Sequence, residues 1–96
     1  MSDQSVTEVS RTYTIVNRQG LHLRPASRLV QVFSEYPACE VFAVVKETRV
    51  NAKSIMGLLM LEASHGTELT VEVSGEGGNQ ILDRVGEVIA QRFGED

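Results

Sequence analysis

The sequence predicts an α+β open-faced β-sandwich, ordered β-α-β-β-α-β-α, with a four-stranded antiparallel sheet covered by three helices on one face. Three observations predict it. The first and last strand-like segments alternate apolar and polar residues, as strands with one face on a core and one in water do. Two longer segments and one short one carry apolar residues at helical spacing. A chain of 96 residues with 42% hydrophobic residues has room for one core and one domain.

The elements follow in order. Residues 1–10 are polar and acidic and read as a flexible tail, leaving 11–96 as the single domain. "RTYTIVN" (11–17) sets Thr12 and Thr14 against Tyr13 and Ile15 and reads as a strand ending in the turn Asn17-Arg18-Gln19-Gly20. Ala26, Leu29, Val30 and Phe33 then mark one face of a helix of about three turns, stopped by Pro37. "CEVFAVV" (39–45) and "TRVN" (48–51) read as a hairpin around Lys46-Glu47. Ser54 caps a short helix over "SIMGLLMLEA" (54–63), with "SHG" supplying the terminating glycine and Gly57 costing about 1 kcal/mol against alanine. "TELTVEV" (67–73) turns Leu69, Val71 and Val73 inward. Ile81, Leu82, Val85, Val88 and Ile89 form the apolar stripe of the last helix.

Composition narrows the function. A net charge of −4 without a basic, aromatic-rich run argues against nucleic acid. No apolar run reaches the roughly 18 residues of a membrane span, and the acidic start does not read as a leader, so the expected location is the cytoplasm. Cys39 is the sole cysteine and reads as a small buried hydrophobe. His22 and His65 lack neighbours at metal-ligand spacing, and neither a nucleophile elbow nor a P-loop is present, so no metal or cofactor is expected.

What stands out is a local concentration of positive charge. Arg18, Arg24 and Arg28 fall in eleven residues that contain no acid, around "GLHLRPAS" (20–27). His22 sits where strand gives way to helix, and the first backbone N–H groups of a helix are unpaired and face an anion favourably. Pro25 fits the first helical turn, where its missing N–H is not needed, although the pre-proline preference would instead make Arg24 the cap. A neutral imidazole there is a nucleophile, and a phosphoryl group on it would meet amides and Arg24. The residues alone leave the alternative standing, a packed helix-start histidine beside solvated arginines, and from spacing that reading weighs more. Ser54 likewise reads first as a cap, and Met56, Leu59, Met60 and Leu61 as core.

Two motifs together change the balance. "GLHLRPAS" resembles the active-site signature G-[LI]-H-x-R-P-A of the HPr family, the histidine-containing phosphocarriers of the phosphoenolpyruvate:sugar phosphotransferase system. "VNAKSIMGLLML" (50–61) resembles that family's serine-site signature, in the same order and at nearly the usual separation. The resemblance runs from about Arg11 to Phe93. It implies that His22 takes a phosphoryl group on Nδ1 from enzyme I and passes it to IIA domains of sugar permeases, with Arg24 on the phosphate. Such a protein is a carrier in a relay rather than a stand-alone enzyme. The resemblance also implies phosphorylation of Ser54 by an HPr kinase/phosphorylase, signalling carbon status to a transcriptional regulator. It further implies a monomer that docks partners through Leu23, Ser27, Ile55, Met56, Leu59, Met60 and Ala63. This sequence departs from the pattern at Leu23, where a small residue or threonine is more usual, and in the 46–48 turn, which lacks a common glycine. Those departures keep a second reading open: a regulatory module of a nitrogen-related or incomplete phosphotransferase system, controlled mainly through Ser54.

Overall fold

A computed structural model of the chain describes residues 8–95. Strands β1 (Glu8–Thr14), β2 (Glu40–Val45), β3 (Thr48–Asn51) and β4 (Glu68–Ser74) form one antiparallel sheet in the order β1-β4-β2-β3. Helices α1 (Leu23–Ser34), α2 (Ile55–Met60) and α3 (Gly78–Ala90) complete the expected α+β open-faced sandwich.

The alternation in β2 and β4 decides which face is covered. Val41, Ala43 and Val45 of β2 and Leu69, Val71 and Val73 of β4 are buried, while the residues between them are not. With Val41 opposite Val73 and Ala43 opposite Val71, these side chains make one apolar layer. Against it lie Ala26, Leu29, Val32 and Phe33 of α1, Leu58 of α2, and Ile81, Leu82, Val85 and Ile89 of α3. The Tyr13 hydroxyl donates to the Leu82 carbonyl at 2.7 Å, fastening β1 to α3, and burial pushes this phenol up to about 12.

Several boundaries differ from the sequence reading. The expected tail lies outside the described residues as far as residue 7, but Glu8, Val9 and Ser10 already pair with Ser74, Val73 and Glu72. The first strand therefore begins earlier than 11, because the long β4 offers partners along its whole length. It also ends earlier: Ile15 leaves the ladder and bonds instead to the loop before β4, through Thr67 O at 2.9 Å and Gly66 N at 2.7 Å. The short helix is α2, 55–60 rather than 54–63, and Glu62 takes the left-handed conformation after it (φ 52°), so Gly66 is not its terminator. Lys46 adopts φ 55° in the β2–β3 turn, the geometry that a glycine would take without strain. Gly57 has a packing reason: a Cβ there would lie 3.0 Å from the Asn51 carbonyl oxygen.

Candidate active site

The loop between β1 and α1 is built to hold His22 still. Asn17 is fully buried, and its Nδ2 donates to the Gly20 carbonyl at 2.7 Å. Gly20 has φ 74°, and a Cβ on it would fall 2.5 Å from the Ala63 carbonyl oxygen, so only glycine fits both the torsion and the space. The next residue, Leu21, is buried and donates its N–H to that same Ala63 oxygen at 2.8 Å. Two adjacent residues thus anchor the turn against the segment that follows α2.

His22 is the N-cap of α1, in extended backbone (φ −87°, ψ −167°), and its carbonyl accepts the first helical bond from Ala26 N at 3.0 Å. Arg24 is therefore not the cap. Pro25 stands third in the helix, where no intrahelical N–H bond is lost. The His22 side chain does not cap the helix, and the first turn carries no acid. The helix start thus keeps its partial positive charge and its donors at Leu23 and Arg24 for an incoming anion.

The imidazole is held from a distant part of the chain. His22 Nε2 lies 3.0 and 3.2 Å from the two carboxylate oxygens of Glu95, and Glu95 Oε1 also accepts from Asn17 Nδ2 at 2.9 Å. The hydrogen bonds from His22 and then Asn17 hold the Glu95 carboxyl below the usual carboxylate range. An ionised carboxylate only accepts, so a proton is assigned to Nε2, and in the neutral form of the ring the lone pair then falls on Nδ1. Glu95 is delivered by a turn in which Arg92, Phe93 and Gly94 all have positive φ (54°, 56° and 79°). Buried Phe93 anchors that turn, and its carbonyl lies 3.5 Å from Arg28 Nη1. Neither Glu95 nor Asn17 stands out in the sequence as a site residue.

An open hollow beside the ring is lined by Arg18, Gln19, His22, Leu23, Arg24 and Glu95. Of the three clustered arginines, Arg18 and Arg24 face this hollow, whereas Arg28 turns to the C-terminal segment. Arg24 is exposed and forms no ion pair among the described residues. Chemically the arrangement offers a nucleophilic nitrogen, backbone donors and free guanidinium groups to a phosphate-sized anion. Among the described residues no group of His, Cys, Asp and Glu could hold a metal ion.

Ser54 is the N-cap of α2, half-buried, with Oγ accepting from Gly57 N at 3.0 Å. Helix α2 packs against α1. Leu23 at 60% exposure and Met56 and Met60 at 69% each are large apolar side chains left in solvent. That corrects the core reading of the two methionines. Ser27, Ile55 and Leu59 are half-buried, as edges of an apolar surface would be. Ala63 departs from that surface: it is 3% exposed, and it supports the histidine turn through its carbonyl.

A family model described as the PTS HPr component phosphorylation site matches residues 9–91. The chain belongs to the HPr family. Among curated relatives, the phosphocarrier protein HPr of Chlamydia trachomatis serovar D is 38% identical over 88 residues, covering 92% of this chain and 80% of its own. The phosphocarrier protein HPr of Xylella fastidiosa strain Temecula1 is 39% identical over 83 residues, covering 86% and 92%. A crystal structure of HPr-C-His from Thermoanaerobacter tengcongensis superposes with a TM-score of 0.85 at 32% identity, covering 92% of this chain and 98% of that one. The HPr fold and a general phosphocarrier role in the phosphotransferase system are thereby established for this chain. Among the described residues no helix is long and apolar enough to cross a membrane.

Proposed function

We propose that His22 accepts a phosphoryl group on Nδ1 from phosphorylated enzyme I, charged by phosphoenolpyruvate, and donates it to IIA domains of sugar permeases. The observation that carries this reading is the position of His22 as the N-cap of a helix whose first turn has no side-chain cap and no acid, with Arg24 free beside it. A helix terminus contributes about 0.3–1 kcal/mol to a nearby anion, up to about 2 in partly buried geometry, enough to shift an equilibrium roughly tenfold without trapping the group. A carrier needs that intermediate strength. The protein acts as a cytoplasmic monomer, docking partners through exposed Leu23, Met56 and Met60 with Ser27, Ile55 and Leu59 at the edge.

Ser54 is the proposed regulatory site, modified by an HPr kinase/phosphorylase and read by a transcriptional regulator. Ser54 directly precedes Ile55 and stands two residues before Met56, so a phosphate there would place about two negative charges beside the docking surface. The regulatory reading, with Ser54 alone in control, competes with the carrier reading at one point: it needs no onward transfer from His22.

Incubation with enzyme I and phosphoenolpyruvate should add one acid-labile phosphoryl group to the wild type and none to His22→Ala, read by intact mass. Arg24→Ala should still be phosphorylated but more slowly, by roughly tenfold or more for one lost charge-assisted contact. Transfer onward to a IIA domain separates the readings. Failure of any transfer to or from the wild type rejects the carrier role.

A further inference from the structure

We propose that Glu95 is a positioning residue for phosphoryl transfer, fixing the His22 tautomer and neutralising the charge that the ring acquires as Nδ1 is phosphorylated. The inference rests on the reading of His22 as phosphoryl acceptor and extends it to a residue 73 positions away in sequence.

The geometry is that of a carboxylate holding an imidazole from the side opposite its nucleophilic nitrogen. Both Glu95 oxygens lie within 3.2 Å of Nε2, and the Glu95 side chain is only 16% exposed. Asn17 Nδ2, itself buried, fixes one of those oxygens at 2.9 Å. The carboxylate is therefore held at both ends of its path: by Asn17 at its oxygen, and by the buried Phe93 in the turn that carries it. Three consecutive residues with positive φ, two of them not glycine, are a backbone arrangement that costs free energy and persists only where the surroundings enforce it.

The transfer step shows what this achieves. The Nδ1 lone pair forms the N–P bond, the bond from phosphorus to the donor's leaving atom breaks, and its electron pair remains on the donor. The Nε2 proton stays on the ring. The ring thus becomes cationic as the bond forms, and Glu95 already lies against the atom that carries the proton. The carboxylate also repels the incoming phosphoryl group, and Arg18 and Arg24, which line the same hollow as Glu95, offset that repulsion.

The test compares wild type, Glu95→Gln and Glu95→Asp. The ring nitrogen-15 shifts of His22 should show one tautomer, protonated at Nε2, in the wild type and a mixture in Glu95→Gln. With enzyme I and phosphoenolpyruvate, Glu95→Gln should keep the wild-type KM and lose about tenfold in kcat, the factor set by about 1.4 kcal/mol of lost charge stabilisation. Glu95→Asp retains the charge and should lie between the two, an order that a merely structural contact would not give. Wild-type kcat with an unchanged tautomer in Glu95→Gln overturns the role of Glu95 while leaving His22 as acceptor. A wild type that takes no phosphoryl group overturns both.

Discussion

Gly20 shows how a single position couples backbone sterics to chemistry. Its φ of 74° and the 2.5 Å that would separate a Cβ from the Ala63 carbonyl oxygen leave alanine no unstrained conformation there. Gly20→Ala is expected to cost roughly 2 kcal/mol or more, from the left-handed torsion plus the displaced backbone, and to move His22 with it. Chemical denaturation reads the first effect and the His22 ring resonances the second; a variant of wild-type stability would contradict this account. At this scale the sequence was legible where chemistry is local. Gly20, His22 and Arg24 lie within five residues and form a recognisable motif. Glu95 was not legible, because it meets His22 only after a left-handed turn of non-glycine residues that no apolar period announces. Leu23, the unusual neighbour of the histidine, proves to be exposed on the rim of the hollow.

Among the elements, α1 and β4 are legible in the sequence because each has a strong period and one buried face. Helix α2 is less legible. Its end depends on Glu62 adopting positive φ, for which the sequence carries no glycine signal, and the eye is drawn to Gly66 instead. Its start is clearer. Ser54→Ala should cost about 1 kcal/mol through the lost bond to Gly57 N, measured as a shift in the denaturation midpoint, and should leave phosphorylation at His22 intact. The C-terminal turn carries a pH dependence of definite sign. Glu95 is held below its ordinary range by His22 and Asn17, so its contribution is complete above the usual glutamate value, about pH 4.3, and is lost as pH falls through the folded value. The protection factor of the Gly94 amide, which bonds to the Gln91 carbonyl in that turn, should fall on acidification in the wild type, and Glu95→Gln should lack that step. Equal pH profiles in the two proteins would remove the turn's dependence on this carboxylate.

On the scale of the whole molecule, the packing of α1 on α2 brings three proposed sites together. The histidine turn, the exposed apolar residues of α1 and α2, and Ser54 are neighbours because α1 packs on α2 and the turn is bonded to Ala63 just beyond α2. A net charge of −4 coexists with a hollow in which Arg18 and Arg24 outnumber the single carboxylate of Glu95, so the local charge favours a phosphoryl group. The fold class was legible in full because alternation and period fixed every layer. The linkage of the C-terminus to the site was not, since it depends on tertiary packing of Phe93. His22 Nδ1 is the atom proposed to bond phosphorus. Nitrogen-15 NMR of the histidine ring after phosphorylation by enzyme I and phosphoenolpyruvate tests it directly. A phosphorylation shift at His22 Nδ1, with the proton retained on Nε2, is the predicted result; phosphorus on Nε2, or on any residue other than His22, would contradict it.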